Sequence, residues 1–209
     1  MVWLQKTYRR LACGRPIVVV SGLPRSGTSM MMKMLDAGGI AVWHDGQRTA
    51  DDQNPKGYYE LERVKELDKG LDKSWMREGR GRAVKVISSL VEHLPTTNNY
   101  QVLFMSRNIR EVLDSQSKML VQRGETGGAA DDAALEKYYE THVRKVKYFL
   151  AHTPAFSSID IGYADVLANP VRMAGRVDAF LGGGLDVAGM TAVVDDQLYR
   201  NRQHSRQAT

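Results

Sequence analysis

The sequence PIVVVSGLPRSGTSMMMKMLDAGG, residues 16–39, decides the beginning of the fold. Its first five residues are apolar and rich in β-branched side chains, which predicts a strand covered on both faces. A loop of glycine and hydroxyl residues follows at 21–29. The straight side chains of residues 30–35 favour a helix, which ends at Gly38 and Gly39. A strand, a glycine loop and a helix in this order are typical of the first unit of a nucleotide-binding α/β domain.

The rest of the chain alternates between helical and strand patterns. Residues 58–73 repeat apolar side chains at helical spacing, which predicts an amphipathic helix. Further strands are predicted at residues 82–87, 100–105 and 157–161, and further helices at 108–120, at 135–150 and from Pro170 onward. This alternation predicts an α/β fold, a P-loop-type three-layer sandwich with a mostly parallel central sheet.

Length and composition limit the class of protein. The 209 residues predict a single domain over residues 1–209, with an extension at 1–15 and a frayed tail at about 201–209. Apolar runs are far shorter than the ~20 residues that span a bilayer, and no signal peptide pattern follows Met1. The single cysteine, Cys13, excludes an internal disulfide framework and a multi-thiolate metal site. We therefore expect a cytoplasmic protein.

The charged residues indicate which partners to expect. Lys and Arg number 29 against 24 Asp and Glu, a net charge of +5. The arginines are spread along the chain, which favours a few anion contacts over the long phosphate track of a nucleic-acid interface. We expect neither a nucleic acid nor a membrane as partner, and the pattern indicates no particular oligomeric state.

The glycine loop carries the most informative motif. Gly22 and Gly27 have the spacing of a nucleotide-kinase loop, but Thr28 stands where the kinase signature requires lysine. Arg25 supplies a positive charge from inside the loop instead. Three hydroxyl side chains complete the loop: Ser26, Thr28 and Ser29. Because the next helix begins with unpaired N–H groups, the loop predicts an anion site, the alternative being a tight turn of small residues.

Three stretches resemble the sulfotransferase superfamily, whose members take a sulfuryl group from 3′-phosphoadenosine 5′-phosphosulfate (PAPS). Residues 22–29 are similar to the family's loop for the 5′ phosphosulfate, in which a Pro precedes a Lys or Arg. The strand at 102–106 ends in Arg107, and Ser115 follows eight residues later on the helix, close to two turns. In the family this Arg and Ser grip the 3′ phosphate. The alternative is a solvated arginine and an exposed serine.

A third stretch, residues 163–170, looks like the family's Tyr-x-Asp-Leu segment before a helix. We expect its Tyr163 and Asp165 to brace the fold. The resemblance implies that PAPS contacts one set of residues: Arg25, Ser26, Gly27, Thr28, Ser29, Arg107 and Ser115. It also implies in-line sulfuryl transfer to a hydroxyl or amine acceptor without a metal, with adenosine 3′,5′-bisphosphate as the product.

Three residues are candidates for the chemistry: Arg25, Lys85 and Glu60. Arg25 would stabilise the leaving phosphate. Lys85 lies in an otherwise apolar strand and corresponds to the family's strand lysine; the alternative is an edge-strand lysine that faces water. Ile87 occupies the position of the histidine base in the best-known cytosolic branch. Other branches use a glutamate, and Glu60, in a segment similar to one of bacterial members, is either this base or a partner of a helix dipole.

His44 and His93 are reserve candidates for the base. We expect a small-molecule or carbohydrate acceptor. Two other functions stay open: a P-loop nucleoside or small-molecule kinase, which would need the loop lysine, and a catalytically silent nucleotide-binding protein.

Overall fold

The centre of the molecule is a four-stranded sheet. A computed structural model of the chain describes residues 9, 12–46, 59–70, 72–122 and 132–194. The strands are β1 (Ile17–Gly22), β2 (Ala83–Lys85), β3 (Tyr100–Ser106) and β4 (Phe156–Gly162). Their order is β2-β1-β3-β4, and all neighbouring strands run parallel. The predicted strands are confirmed, although β2 is shorter than residues 82–87, and this sheet is wholly parallel.

Helices flank the sheet. In the described residues they are α1 (Thr28–Ala37), α2 (Ile109–Gln122), α3 (Asp132–His152), α4 (Tyr163–Ala168), α5 (Pro170–Leu181) and α6 (Val187–Ala192). Three shorter 3₁₀ helices span Glu62–Glu66, Ser74–Gly79 and Ser88–His93. Asn108 caps α2, because its Oδ1 accepts from the backbone N–H groups of Arg110 and Glu111 at 3.0 and 3.3 Å.

Each face of the sheet is covered by its own apolar core. Val19 and Val102 pack on one face with the 3₁₀ helices and α3, and Val20 and Leu103 pack on the other with α1, α5 and α6. All six residues of β1 are buried, as the unbroken apolar run predicts. Burial on both faces produces the three layers and confirms the predicted sandwich.

The amphipathic helix predicted at 58–73 is wrong in the described part of that range. Only Glu62–Glu66 is helical, as a 3₁₀ helix, and Leu61 before it is extended. Val64 and Leu67 are nevertheless buried. Because side chains three residues apart share one face of a 3₁₀ helix, this apolar spacing suits a single tight turn as well as a longer α-helix.

The termini are described only in part. The predicted tail at 201–209 and most of the extension at 1–15 lie outside the described residues. Arg9 belongs to the extension, and its guanidinium donates to the carbonyls of Thr96 and Asn98 at 2.6 and 2.9 Å, which ties it to the loop before β3. No helix in the described ranges is long and apolar enough to cross a lipid bilayer.

The strand order marks a crevice in the sheet. The chain runs from β1 to the edge strand β2 and then crosses to β3 on the other side of β1. In open parallel sheets, ligands bind outside the carboxyl ends of the strands where the order reverses in this way. Two loops meet at this point: residues 23–27 after β1 and 107–108 after β3.

Candidate functional site

The loop after β1 presents backbone donors at the start of α1. Gly27 has a φ of 98° and precedes the helix, which has no side-chain cap. The N–H of Met31 donates to the Gly27 carbonyl at 3.2 Å. The N–H groups of the first helical turn before it have no acceptor within the helix. The loop therefore has the backbone geometry of an anion site.

Arg25 is held in an uncommon conformation at the centre of this loop. Its φ is 71°, in the left-handed region that costs a residue with a Cβ about 1–2 kcal/mol. Its Nε donates to Ser115 Oγ on α2 at 2.9 Å. Its carbonyl accepts from Arg107 Nη1 at 3.1 Å. The structure thus brings together Arg25, Arg107 and Ser115, whose sequence separations are 82 and 90 residues.

Arg107 and Ser115 are buried. The side chain of Arg107 is 8% exposed and Ser115 is buried. The alternative of a solvated strand-end arginine and an exposed serine is wrong, because both side chains face the loop. Both of them contact Arg25 there, the serine through the guanidinium and Arg107 through the carbonyl.

Two further residues, neither of them a site residue predicted from the sequence, hold Arg107. Arg107 Nε donates to Glu111 Oε2 at 3.0 Å, and the Glu111 side chain is also 8% exposed. The Arg107 guanidinium lies 4.5 Å from the centre of the Tyr163 ring. Arg107 lies just before α2 and Glu111 in its first turn, so the ion pair joins the end of β3 to the start of the helix. Tyr163 thus packs against Arg107.

Tyr163 also explains why Gly27 is a glycine. A Cβ at residue 27 would strike the Tyr163 ring. At Gly22, a Cβ would lie 2.5 Å from Ser26 Oγ and 2.6 Å from the Met105 carbonyl oxygen. The loop is therefore packed tightly against β3 and α4.

A pocket of about 250 Å³ opens beside Arg107 at the carboxyl ends of β3 and β4. It is lined by Ser106, Arg107, Asn108, Glu111, Gly162, Tyr163 and Ala164. In the loop after β1, Ser26 Oγ is buried without a hydrogen-bond partner in the described residues, as is Ser21 Oγ in β1. Buried polar atoms are nearly always satisfied. A loop with an unsatisfied hydroxyl, helix N–H donors and two arginines fits an anion rich in oxygen.

Lys85 and Glu60 form the other part of the site. Lys85 Nζ lies 3.3 Å from Glu60 Oε1 and 3.5 Å from Ser29 Oγ at the start of α1. The Lys85 side chain is 9% exposed and that of Glu60 18%. The alternative of a lysine facing water is wrong, because the end of β2 directs Lys85 toward α1. The pair places a carboxylate and an ammonium beside the loop hydroxyls.

Glu60 contacts two lysines, Lys85 and Lys65. Its Oε2 lies 3.6 Å from Lys65 Nζ. The α-helix predicted over residues 58–73, whose dipole Glu60 would complement, is not formed in the described part of that range. A 3₁₀ helix begins at Glu62 instead, two residues after Glu60. Lys65 also bonds Glu62, and this hydrogen bond together with the nearby Glu60 charge raises the pKa of the Lys65 ammonium.

The reserve bases have other contacts. The His44 ring packs edge-on against Tyr59 with 5.8 Å between ring centres. Burial and the nearby Asp36 charge raise the pKa of the Tyr59 hydroxyl. His93 Nε2 lies 3.9 Å from Glu92 Oε1 on the 3₁₀ helix after β2. Within the described ranges, no three metal-binding side chains cluster together.

Neither a protein-family model nor a curated protein sequence matches the chain. The sulfotransferase domain of the curacin biosynthetic pathway is 14% identical, with a TM-score of 0.51 over 88% of this chain and 79% of that domain.

Two more solved structures are similar over most of their length. The sulfotransferase domain of the Synechococcus PCC 7002 olefin synthase is 15% identical, with a TM-score of 0.53 over 91% of this chain and 84% of that one. Mouse sulfotransferase SULT7A1, solved in complex with PAP, is 14% identical, with a TM-score of 0.52 over 96% of this chain and 72% of that one. At 14–15% sequence identity, these similarities show that the fold is shared.

Proposed function

We propose that this chain, which has the sulfotransferase fold, transfers a sulfuryl group from PAPS to a hydroxyl or amine of a small-molecule or carbohydrate acceptor. The observation that carries the proposal is the convergence of Arg107 on the carbonyl of Arg25 in the glycine loop. It brings two arginines from distant parts of the sequence to one crevice, where a nucleotide with phosphates at both ends has two cationic partners. The single Cys13 supports action in the cytoplasm.

Two groups of residues would hold the donor. The 5′ end would lie at the loop, against Arg25, the N–H groups of Gly27, Thr28 and Ser29, and the unsatisfied hydroxyl of Ser26. The 3′ phosphate would lie with Arg107 and Ser115 beside the pocket. PAPS supplies the sulfuryl group and a phosphate leaving group.

The remaining chemistry belongs to side chains of this chain. Glu60 accepts the proton of the acceptor's hydroxyl or amine, because its carboxylate lies at the loop and keeps part of its surface accessible. Lys85, next to Glu60 and Ser29, stabilises negative charge that develops beside it. Arg25 stabilises the charge on the departing phosphate. These roles need positioned charges and no covalent intermediate.

The kinase alternative is disfavoured by one residue. Thr28 occupies the position of the lysine that reaches the outer phosphates in nucleotide kinases. Lys85, the lysine that lies beside Ser29 of this loop, comes from β2 and is paired with Glu60. Binding of a nucleotide without transfer remains the second alternative and is distinguished by the assay below.

Calorimetry shows which nucleotide the chain binds more tightly. We expect adenosine 3′,5′-bisphosphate to bind more tightly than ATP with magnesium, and a preference for ATP would overturn the proposal. Transfer is then measured with PAPS and a panel of phenols, primary alcohols, amines and sugars, by release of the bisphosphate. Turnover with at least one acceptor supports the enzyme; tight binding of the bisphosphate with no transfer to any of them would indicate the silent nucleotide-binding protein.

A further inference from the structure

Glu60 lies in a segment that no helix or strand holds. Residues 59–61 have no regular structure, and Leu61, which precedes the 3₁₀ helix, provides no side-chain cap for it. Tyr59 has a φ of 50°, a left-handed conformation that costs free energy in any residue with a Cβ. A carboxylate in such a segment needs other contacts to keep its place.

Asp45 supplies these contacts from a distant part of the chain. Its backbone N–H donates to the Glu60 carbonyl at 3.2 Å. Its carboxylate Oδ2 accepts from the Glu62 N–H at 2.6 Å. The two bonds hold the two peptide groups that follow Glu60, and the second bond is charge-assisted and short. We call this pair of bonds the Asp45 clamp.

The Asp45 clamp is anchored to the strand that carries Lys85. Val42 forms a parallel bridge with Ala83 of β2. The Trp43 N–H donates to the Ala83 carbonyl at 2.7 Å, and the Ala83 N–H donates to the Ala41 carbonyl at 2.9 Å. Asp45 follows this bridge by three residues. Glu60 is thereby fixed with respect to β2, and its carboxylate meets Lys85 at 3.3 Å.

We propose that Asp45 is a positioning residue that holds Glu60 against Lys85 for proton transfer. This inference rests on the proposed function, because it assumes that Glu60 is the base. Asp45 is exposed, and it acts through the backbone around Glu60 without contact to the reacting atoms. A displacement of about 1 Å at a reacting group lowers the rate by about 100-fold, so loss of the clamp has a measurable effect on turnover.

The test uses three substitutions at one position in the full chain, with PAPS and the best acceptor from the panel. Asp45→Ala removes the acceptor of the Glu62 N–H, and we expect kcat to fall by about 10- to 100-fold. Asp45→Glu keeps the charge but displaces the oxygen, and we expect a smaller fall. Asp45→Asn keeps an oxygen acceptor at the same place and is expected to stay within about threefold of the wild type.

Binding and a control distinguish positioning from general damage. The dissociation constant of adenosine 3′,5′-bisphosphate is expected to stay within about twofold in all three variants. Glu66→Ala is the matched control, because Glu66 is an exposed carboxylate of the same 3₁₀ helix, paired with Lys69 at 3.3 Å, and it should leave kcat unchanged. The inference is overturned if Asp45→Ala keeps kcat within twofold, or if Asp45→Asn falls as far as Asp45→Ala.

A crystal structure of Asp45→Ala separates this inference from the proposed function. A distance beyond 4 Å between Glu60 Oε1 and Lys85 Nζ would support the clamp, even if no acceptor is sulfated by the wild type. An unchanged distance of 3.3 Å would overturn the clamp while leaving a sulfotransferase activity intact.

Discussion

The two parts of the site are built in different ways. The half proposed to bind the nucleotide, called the nucleotide half and defined as Arg25, Arg107, Glu111 and Ser115, lies at the ends of the central strands β1 and β3. Its Arg107 and Glu111 side chains are both 8% exposed. The half proposed to carry out the reaction, called the reacting half and defined as Glu60 and Lys85, lies at the end of the edge strand β2, where the exposed fraction of the Glu60 side chain is 18%. Burial and central strands make the first half rigid, and the second depends on a few contacts between loops.

This difference indicates a division of tasks. Buried charge-assisted contacts provide affinity, because little water competes with them. A base must meet different acceptors and exchange its proton with solvent, so it requires partial exposure. Substitutions in the nucleotide half should therefore change nucleotide affinity, whereas those in the reacting half should change turnover.

The largest expected effect is on turnover. Glu60→Gln removes the carboxylate that accepts the proton, and we expect kcat to fall by about 100- to 10,000-fold. The dissociation constant of adenosine 3′,5′-bisphosphate should stay within about twofold, which calorimetry measures. Glu66→Gln is the control on the same 3₁₀ helix and should retain full activity. A Glu60→Gln variant with normal kcat would remove Glu60 from the reacting half.

The next effect is on nucleotide affinity. Arg107→Ala is made in a Glu111→Gln background, so that no buried carboxylate loses its partner. Compared with Glu111→Gln alone, the double variant should bind the bisphosphate about 100-fold more weakly, since contacts to a charged group contribute about 1.5–3 kcal/mol each. Affinity for adenosine 5′-phosphosulfate, which lacks the 3′ phosphate, should change little. Calorimetry with both ligands makes the comparison.

Arg110→Ala is the control for this prediction. Arg110 lies on the same helix, but its side chain is 68% exposed and pairs with Glu136 at 3.1 Å. It should leave both affinities unchanged. An equal loss of affinity for the two ligands in the Arg107 variant would contradict a role at the 3′ phosphate. Arg107 would then only hold the loop in place.

A third prediction concerns the rigidity of the nucleotide half. Gly27→Ala and Gly39→Ala both place a Cβ on a left-handed residue at an end of α1, with φ of 98° and 92°. The Cβ at 39 enters open space, and the one at 27 strikes the Tyr163 ring. Gly39→Ala should lower the free energy of unfolding by about 1–2 kcal/mol. Gly27→Ala should lower it by more, as measured by urea denaturation.

The difference between the two glycine variants reports the contact between the loop and Tyr163. Because Tyr163 supports Arg107 at 4.5 Å, Gly27→Ala should also weaken bisphosphate binding, whereas Gly39→Ala should not. Equal destabilisation by both variants would show that Tyr163 yields easily, and that the nucleotide half is less rigid than its burial indicates.

The sequence predicts that the loop, Arg107 and Ser115 come together, but it does not predict the placement of Glu60, for a physical reason. The loop, Arg107 and Ser115 follow long apolar strands, and strand ends in a parallel sheet meet at one edge, so local patterns are enough to bring them together.

The reacting half depends on contacts that leave no local pattern. The bonds of Asp45 to residues 60 and 62 span 15 and 17 residues of sequence. One of them joins two backbone groups, which any residue can supply, and the other joins the Asp45 carboxylate to a backbone N–H. The apolar spacing at 58–73 predicts a helix that the structure replaces by a 3₁₀ helix at Glu62–Glu66, so the placement of Glu60 at Lys85 could not be derived.

The smallest expected effect is a pH dependence of the stability of the fold, caused by a histidine near the edge strand β2. His142 of α3 shares a hydrogen bond of 2.8 Å with Ser88 Oγ, which follows β2. Burial lowers the pKa of the His142 imidazole, with Lys145 acting in the same direction and Glu92 opposing it. The folded state therefore binds a proton at His142 less readily than the unfolded state, whose imidazole titrates near its ordinary pKa of about 6.5.

The sign of the effect follows from this difference. The contribution of neutral His142 to stability is fully present above about pH 6.5 and is lost as the pH falls through the lowered pKa of the folded state. Thermal unfolding midpoints should decrease from about pH 7.5 to 5, and this decrease should be smaller in His142→Gln, whose amide can still bond Ser88. If both proteins lose the same stability between these pH values, protonation of His142 does not account for the pH dependence of stability.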